Sequence, residues 1–357
     1  MFNKNYKIIF LMSLMMGTII SITSNSWFSV WMGLEINLLS FMPLISNSKM
    51  MNSTEASLKY FLSQTIASSV LLLTSILLTM SFYMENEFIY LNLNKYMYLM
   101  FMCSLLMKMG AAPFHFWFPG VMEGLTWSNC FILMTWQKIA PIMLMFNIIN
   151  LTNMMMLIII IIFSMIVGTI GGLNQTSLRK LMAYSSINHL SWMMTSLMAN
   201  EHLWMIYMTI YTLLSLSIIY MMNLYNLSYI NQIYSFKTNN KLSKFSFMLM
   251  MLSLGGLPPF LGFLPKWLII QMLIKNNLNF LPTIMVMMTL ITLFYYMRIS
   301  FSAFMLSYSE NKWKLMNNIK NFNNNKMLKF NFINYNLILS FTSMTGLIMS
   351  TMMNNWY

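Results

Sequence analysis

Long apolar stretches separated by short polar segments make up most of the 357-residue chain. A helix needs about 20 apolar residues to cross the hydrocarbon core of a bilayer, and we count eleven stretches of that kind. The predicted spans are residues 5–24, 26–46, 56–82, 96–119, 125–146, 153–173, 177–199, 203–226, 243–274, 279–305 and 332–353. The pattern therefore predicts an all-α polytopic membrane protein.

The fourth and ninth predicted spans are interrupted by glycine and proline, in KMGAAPFHFWFP and GGLPPFLGFLPK. In register, Gly110, Pro113, Phe114 and Pro119 correspond to Gly256, Pro259, Phe260 and Pro265. Interrupted helices at matching positions of two halves indicate a transport site within the membrane. We therefore expect two interrupted helices in two related halves of the chain.

The composition excludes most enzyme chemistry. Charged residues form 8% of the chain, against about 25% in an ordinary soluble domain. The seven acidic residues are all glutamate, so a Ser-His-Asp triad, an aspartyl phosphate and an Asp-based metal cluster are excluded. The two cysteines, Cys103 and Cys130, stand alone in apolar runs, which predicts free buried thiols rather than a metal or disulfide site.

The net charge of +13 predicts an orientation in a membrane rather than nucleic-acid binding, because the basic residues lie mostly at span ends. One side collects Lys4, Lys7, Lys49, Lys59, Arg179, Lys180, Lys237, Lys241, Lys244, Lys312, Lys314, Lys320, Lys326 and Lys329. The other side shows Lys95 and Lys275 with Glu85, Glu87 and Glu201. Positive residues favour the inner side of a membrane, so the N-terminus is predicted to lie on that side, which in a mitochondrial inner membrane would be the matrix.

Four ionisable residues fall in the middle of predicted spans, and a histidine joins them. They are Glu35, Lys108, Lys138, Lys266 and His189. A charge at the bilayer centre costs at least about 2.5 to 3.5 kcal/mol, so such residues are usually functional. Structural alternatives stay open: Lys108 or Lys138 could extend to the membrane surface, and Glu35 could form a structural ion pair with a lysine. Lys266 could act as a structural cation near freed carbonyls, and His189 could be a satisfied core residue.

Burial suggests what these residues could do together. Desolvation favours the neutral form of a lysine, whereas a nearby carboxylate favours the charged form. A buried lysine beside a glutamate can therefore change its charge when that partner moves. Several such sites joined by water and histidine would form a proton relay, and the two helix breaks would supply free carbonyls to hold the water.

Codon usage points to a mitochondrial gene. The chain holds 46 methionines and is rich in Ile, Phe, Tyr, Asn and Lys, but it has only two arginines. All of the favoured residues have AT-rich codons when AUA is read as methionine. The inference is genetic rather than physical, and it predicts an AT-rich animal mitochondrial genome.

Five motifs carry a resemblance to a known family. They are WMGLEINLLSFMPL around Glu35, KMGAAPFHFWFP around Lys108, TWQKIAP around Lys138, GGLNQTSLRKLMAYSSINHLSW around His189 and SLGGLPPFLGFLPKW around Lys266. In this order they resemble the antiporter-like membrane-arm subunits of mitochondrial NADH-ubiquinone oxidoreductase (respiratory complex I), in an animal, insect-like form. The resemblance runs from the first predicted span through the tenth. It implies eleven transmembrane helices with two inverted five-helix repeats, residues 1–150 and 151–306, followed by a polar loop and a final transmembrane helix in residues 307–357.

The resemblance implies a core subunit that translocates protons across the mitochondrial inner membrane while NADH is oxidised by ubiquinone. It implies that Glu35 and Lys108 form a charge pair, that Lys138 connects the half-channels, that His189 lies on the central polar axis, and that Lys266 lies toward the exit. No cofactor is expected in this chain, because the complex holds NADH, FMN, iron-sulfur clusters and ubiquinone in other subunits.

The implied partners are other membrane-arm subunits and membrane lipids, with cardiolipin as a candidate, and no nucleic acid. Two other functions remain open at this stage. The chain could belong to a related cation/proton antiporter complex or membrane-bound hydrogenase, although the mitochondrial codon signature argues against both. It could also be a non-pumping scaffold subunit whose buried charges are only paired.

Overall fold

The architecture comes from a computed structural model, which describes residues 2–46, 51–81, 87–149, 151–152, 154–234, 241–304, 340–341, 343–344 and 346. Fourteen α-helices are defined in these ranges. They are α1 (Phe2–Thr23), α2 (Trp27–Ile45), α3 (Met51–Ser81), α4 (Glu87–Met109), α5 (Trp117–Gly124), α6 (Trp127–Met134), α7 (Trp136–Ile149), α8 (Met154–Leu173), α9 (Leu178–Ala199), α10 (Glu201–Leu224), α11 (Ile230–Tyr234), α12 (Lys241–Gly255), α13 (Phe263–Lys275) and α14 (Phe280–Phe304).

The all-helical prediction is confirmed for the described residues, which contain no strand beyond a single antiparallel bridge between Ser177 and Tyr229. Seven helical stretches in these ranges are long and apolar enough to cross a membrane. They are Tyr6–Thr23, Trp27–Ile45, Met51–Met80, Trp127–Ile149, Met154–Leu173, Glu201–Leu224 and Phe280–Phe301. The protein is therefore a multi-pass membrane protein by length and composition.

The remaining predicted spans differ from these seven for identifiable reasons. The two interrupted spans are each divided at their break, the first after α4 and the second between the shorter helices α12 and α13. α9 is long enough to cross, but it is polar along much of its length. Its serines, threonines and other polar residues are mostly buried in protein, so the helix does not need an apolar surface. A helix that faces lipid must be apolar along its length, whereas a helix buried in protein, such as α9, can be polar.

Two segments are more irregular than the spans and gaps of the prediction. The fifth predicted span, 125–146, corresponds to the crossing stretch Trp127–Ile149, but the helix is interrupted at Thr135, because α6 ends at Met134 and α7 begins at Trp136. The segment 227–242 between two predicted spans contains the short helix α11. The polar loop 306–331 lies outside the described residues, and so does most of the final predicted span.

By contacts, the chain divides into two compact units: Met1–Gly168 with Met182–Glu201, and Thr169–Leu181 with His202–Tyr357. This division does not test the repeat boundaries, which the resemblance implies. The two five-helix repeats therefore stay a prediction.

In the first unit, α1 and α2 cross at two glycines. A Cβ added to Gly33 would lie 2.7 Å from the backbone nitrogen of Ser21, and one added to Gly17 would lie 2.9 Å from the Gly33 carbonyl oxygen. Small residues allow helix backbones to approach closely in a membrane. α3 then packs against α2, α4 and α5, while α7 packs against α1, α4 and α6. The crossing at Gly33 fixes the part of α2 that carries Glu35.

In the second unit, α14 packs against α11, α12 and α13. Tyr295 of α14 lies against Gly172 at the end of α8, where an added Cβ would be 3.0 Å from the Tyr295 ring. The few described residues of the final predicted span meet the second helix break, because the Leu261 N–H donates to the Ser343 carbonyl at 2.8 Å. A backbone hydrogen bond therefore joins the second break to the final predicted span.

Candidate functional site

The first predicted helix break is present, and glycine creates it. α4 ends at Met109, and Gly110 has a φ of 72°, a left-handed conformation that glycine adopts without steric cost. The Ala111 N–H donates to the Leu106 carbonyl at 3.1 Å, and the Gly110 N–H donates to the Met107 carbonyl at 3.2 Å. These two bonds form a Schellman motif, which satisfies carbonyls at a helix end.

Side chains from two neighbouring helices hold the end of α4. The Trp117 indole N–H of α5 donates to the Met107 carbonyl at 3.1 Å. The Gln64 amide of α3 donates to the Lys108 carbonyl at 3.4 Å. Sequence reasoning missed both residues, because only the tertiary structure brings them to the break. Together they fix the backbone from which the Lys108 side chain extends.

The second predicted break is also present and repeats the first in its hydrogen bonds. Gly256 has a φ of 81°, and its N–H donates to the Ser253 carbonyl at 3.0 Å. The Leu257 N–H donates to the Leu252 carbonyl at 3.5 Å, which completes a second Schellman motif. The predicted correspondence of Gly110 with Gly256 is therefore confirmed at the level of backbone conformation.

Each break brings a lysine to the carboxyl end of a half-helix, but from opposite directions. Lys108 belongs to the last turn of α4 itself. Lys266 belongs to the first turn of α13 and extends back across the break, where its Nζ donates to the Gly255 carbonyl at 2.9 Å. The carboxyl end of a helix carries partial negative charge, which stabilises a nearby ammonium group.

Lys266 is closely confined. A Cβ added to Gly256 would lie 2.8 Å from the Lys266 Nζ, so any larger residue at this position would displace the amine. The side chain is 5% exposed. The predicted burial of Lys266 is confirmed. Gly256 both forms the turn and leaves space for the Lys266 amine.

Lys108 is 7% exposed, and its Nζ has no hydrogen-bond partner among the described residues. The half-buried Glu35 lies within electrostatic range of it, but no ion pair within 4.0 Å joins the two in the described part of the chain. The charge pair implied by the resemblance is thus a longer-range interaction in this conformation. Direct contact would require either side chain to move.

Tyr60 is a further polar group near Glu35 that the sequence analysis missed. It is buried on α3, and its hydroxyl lies within electrostatic range of the Glu35 carboxylate. Its ring contacts Phe41 of α2 and Trp117 of α5, with centroids 5.3 and 5.9 Å apart. Tyr60 therefore connects the helix of the carboxylate to the residue that caps α4.

Lys138 is 1% exposed and has two identified contacts. Its Nζ donates to the Ser186 carbonyl of α9 at 3.0 Å and lies 5.3 Å from the centroid of the Phe118 ring. An aromatic face attracts a positive charge, so the ring stabilises an ammonium group here. Phe118 also packs against Gly110, where an added Cβ would be 3.1 Å from the Phe118 Cβ. The phenylalanine thus connects the first break to Lys138.

The helix around Lys138 is irregular on both sides. Thr135 separates α6 from α7, and Pro141 inside α7 lacks the N–H that would bond to the Gln137 carbonyl. The Gln137 side chain donates to Asn37 of α2 at 2.9 Å. Free or weakly bonded carbonyls at membrane depth are tolerated where they line a polar interior.

α9 forms the polar wall of this region. Lys138 binds its backbone at Ser186, and His189 lies three residues further on, on a neighbouring position of the same face. His189 is buried, as are the surrounding Ser185, Asn188 and Ser191. The first unit therefore brings together Glu35, Lys108, Lys138 and His189 around the first break, while Lys266 lies at the second break in the other unit.

No group of three or more His, Cys, Asp or Glu side chains in the described ranges could hold a metal ion. What the arrangement offers instead is a set of buried amines, a carboxylate and an imidazole beside interrupted helices. Such groups can accept and release protons without a bound cofactor.

Comparison with known proteins assigns the family. A family described as NADH:quinone oxidoreductase/Mrp antiporter, TM matches residues 24–292, which includes all five predicted site residues. The chain belongs to this family. The resemblance inferred from the five motifs is therefore confirmed.

Full-length relatives support the assignment. A protein of Anopheles gambiae named NADH-ubiquinone oxidoreductase chain 2 is 54% identical over 96% of this chain and 96% of its own length. A protein of Locusta migratoria with the same name is 48% identical over 88% of this chain and 90% of its own. Both relatives are insect proteins, in agreement with the insect-like form of the motifs.

Solved structures share the fold. A chain of respiratory complex I from Thermus thermophilus with bound aureothin superposes with a TM-score of 0.79 and 19% identity, over 96% of this chain and 78% of that one. A chain of the Mrp complex from Dietzia sp. DQ12-45-1b gives a TM-score of 0.73 and 14% identity, over 83% of this chain and 60% of that one. The antiporter-like fold is therefore common to both kinds of complex.

Phe118 supplies a test of this site in a member of the family. Phe118→Leu keeps an apolar side chain but removes the π face from Lys138. A cation–π contact contributes about 0.5 to 2 kcal/mol, so we expect proton pumping to fall by about two- to thirtyfold in the assembled complex. The measurement is NADH-driven proton uptake in proteoliposomes.

The matched control is Phe101→Leu, since Phe101 is equally buried in α4 but packs edge-to-face against Trp27 rather than facing a lysine. This variant is expected to pump normally. Equal rates for the two variants would show that the ring at position 118 serves packing alone.

Proposed function

We propose that this chain is a core membrane subunit of respiratory complex I, NADH:ubiquinone oxidoreductase, and that it carries protons across the mitochondrial inner membrane. The observation that carries the proposal is the environment of Lys138, a fully buried amine bound to the polar helix α9 and connected through Phe118 to the first helix break. The names of the insect relatives and the shared fold support it.

The relay begins at Lys108. Its charged form is favoured by the Glu35 carboxylate and by the carboxyl end of α4, and opposed by burial. Movement of Glu35 away from α4 would leave the ammonium without its counter-charge, so a proton would be released. The Lys108 Nζ has no hydrogen-bond partner among the described residues, which leaves it able to transfer a proton.

Lys138 and His189 form the middle of the proposed relay. An amine can donate to the Ser186 carbonyl whether it is charged or neutral, so this hydrogen bond positions Lys138 without fixing its protonation state. The imidazole of His189, one turn along α9, can both accept and donate a proton. Lys266, bound to the Gly255 carbonyl at the second break, is the proposed last group before release.

The architecture belongs to the same proposal. We propose eleven membrane spans in two inverted repeats, residues 1–150 and 151–306, with residues 307–357 forming a loop and the last span. The identical Schellman motifs at Gly110 and Gly256 support an internal repeat. The proposed partners are the other membrane-arm subunits, and the NADH, FMN, iron-sulfur and ubiquinone chemistry takes place outside this chain.

The scaffold alternative is less well supported. A subunit whose buried charges are only paired should bind each buried lysine to a carboxylate. Lys108 makes no such contact within 4.0 Å among the described residues, although Glu35 is nearby. The cation/proton antiporter alternative is consistent with the Mrp-like fold, but the names of the insect relatives do not favour it.

Lys138→Gln tests the relay. Glutamine can still donate to the Ser186 carbonyl but cannot take up a proton, so the hydrogen bond is retained and the titratable group is removed. We expect pumping to fall by about fivefold or more, because about 1 kcal/mol added to the barrier of a transfer step already slows it about fivefold. The measurement is the ratio of protons moved to NADH oxidised in proteoliposomes.

The control for this experiment is Lys275→Gln, which changes an exposed lysine at the end of α13. It should leave the ratio unchanged. An unaltered ratio in Lys138→Gln as well would remove Lys138 from the relay.

The proposed orientation has its own test. With the N-terminus in the matrix, the turn between α13 and α14 faces the intermembrane space. A cysteine introduced at Lys275 should therefore react with a membrane-impermeant maleimide added to mitochondria whose outer membrane has been opened. Reaction only after the inner membrane is also opened would reverse the assigned orientation.

A further inference from the structure

A side-chain hydrogen bond joins α2 to α7 within the first unit, between two residues that are uncharged. The Gln137 Nε2 of α7 donates to the Asn37 Oδ1 of α2 at 2.9 Å. Asn37 is 3% exposed, and Gln137 is half-buried. Burial of an amide without a hydrogen-bond partner is costly, and polar side chains in membrane proteins commonly bond across helices. Each amide therefore holds the other in place.

The two amides lie next to ionisable residues of the proposed relay. Asn37 follows Glu35 by two residues on α2. Gln137 immediately precedes Lys138 on α7. Successive residues of a helix are about 100° apart around its axis, so Gln137 and Lys138 point in different directions. Gln137 reaches α2, whereas Lys138 reaches the Ser186 carbonyl of α9. Two adjacent residues of α7 therefore connect α2 to α9.

The backbone of α2 is firmly held at Asn37. A Cβ added to Gly17 of α1 would lie 3.0 Å from the Asn37 backbone nitrogen, so the two helices are in close contact at this point. The Ser40 hydroxyl donates to the Asn37 carbonyl at 2.9 Å. The Asn37 Oδ1 is therefore an acceptor that extends from a well-packed part of α2.

The start of α7 is held less firmly by its own backbone. Thr135 interrupts the helix before it, and the Lys138 N–H donates to the Thr135 carbonyl, three residues back, at 3.2 Å. Hydrogen bonds of this 3₁₀ type have poorer geometry than those of an α-helix. Pro141 has no N–H to donate to the Gln137 carbonyl. The turn that carries Lys138 therefore depends on side-chain contacts for its position.

We propose that the Asn37–Gln137 hydrogen bond fixes the turn of α7 that carries Lys138, so that both amides are positioning residues of the relay. The inference rests on the proposed function, because the position of Lys138 matters for pumping only if this lysine carries protons. Without the bond, the turn can shift, and the Lys138 amine leaves the place that the Ser186 carbonyl and the Phe118 ring define. Small errors in the placement of a reacting group slow its reaction strongly.

The test replaces each amide by an apolar side chain of similar shape in the intact complex. Asn37→Leu and Gln137→Met both remove the hydrogen bond. We expect each to lower the rate of proton pumping by about two- to tenfold, the rate change that corresponds to one hydrogen bond. The measurement is NADH-driven proton uptake in proteoliposomes, normalised to the amount of complex that native gels show to be assembled. An unchanged rate in the assembled single variants would overturn the proposal.

The double variant separates positioning from mutual satisfaction of the two amides. Each single variant leaves one amide without its partner, whereas the combination of Asn37→Leu with Gln137→Met leaves none. We expect the double variant to pump as slowly as the single variants, because the hydrogen bond is absent from all three. Recovery of the wild-type rate would show that the amides only satisfy each other, and the positioning role would then be wrong.

Gln137→Asn keeps the amide but shortens the side chain by one methylene, so it is the milder variant to use should the apolar ones fail to assemble. It is expected to lower the pumping rate as well, since the shorter side chain no longer reaches the Asn37 Oδ1. A wild-type rate in this variant would also contradict the proposal.

Asn129→Leu is the matched control. The Asn129 amide of α6 also donates to α2, at the Leu44 carbonyl and a distance of 2.7 Å, but Thr135 separates it from the turn of Lys138. This variant should pump at the wild-type rate. An equal loss in Asn129→Leu would assign the effect to helix packing and overturn the positioning role.

Lys138→Gln, measured alongside, distinguishes a failure of this inference from a failure of the proposed function. If Lys138→Gln slows pumping while the Asn37 and Gln137 variants do not, the proposed function stands and the positioning role is wrong. A wild-type rate in Lys138→Gln would contradict the relay itself.

Discussion

Replacement of Lys108 by methionine is expected to abolish proton pumping and to slow NADH oxidation with it, while the complex still assembles. The side chain is buried at the carboxyl end of α4, and Glu35 acts on it from α2. Methionine fills a similar volume without a titratable group, so packing is retained and the first step of the relay is lost. A loss of only 1.4 kcal/mol of stabilisation in the slow step would reduce the rate about tenfold.

Two further variants complete this experiment. Glu35→Gln keeps the shape of the carboxylate partner but removes its charge, so it should produce the same loss of pumping. Lys59→Met removes an exposed lysine that pairs with Glu55 on α3 of the same unit, and it should have no effect. The measurements are proton uptake and NADH oxidation in proteoliposomes, with assembly followed on native gels. Full pumping by assembled Lys108→Met would refute the relay assignment.

The second large effect is expected for Lys266→Arg. Arginine keeps the positive charge but stays protonated even when buried, so it cannot release a proton. Arginine is also larger, and the Lys266 amine already lies against Gly256. We therefore expect assembly to be retained but pumping to be lost, which we would measure as protons moved per NADH oxidised.

Lys244→Arg is the matched control, since it makes the same change at a half-buried lysine near the start of α12. A second variant, Lys266→Met, distinguishes a proton carrier from a structural cation at this position. A structural cation should be replaceable by arginine but not by methionine, whereas a proton carrier should tolerate neither. Normal pumping in Lys266→Arg would establish the structural role.

The helix breaks were predictable because their causes are local. A glycine followed by prolines marks a helix end in the sequence itself, and both Gly110 and Gly256 adopt the left-handed conformation that such an end requires. Burial of Lys108 and Lys138 followed from their long apolar flanks. In each case the residues that decide the structure are near neighbours in the chain.

Other parts of the site depend on distant contacts and could not be predicted. Nothing in the local sequence marks Thr135 as a helix end, because threonine is a weak helix former rather than a breaker. The Gln64 cap of α4 and the contact of Phe118 with Lys138 bring together residues from different helices. Sequence motifs do not determine the distance between two side chains, so the separation of Glu35 from Lys108 could not be predicted either.

The polar helix α9 has a consequence for how the protein enters the membrane during synthesis. A segment so rich in serine, asparagine and other hydrogen-bonding groups gains little by moving from water into lipid on its own. α8, which precedes it, is strongly apolar, and Gly168 of α8 lies against the backbone of Asn188. The two helices should therefore insert together as a hairpin, with the apolar member carrying its polar neighbour into the bilayer.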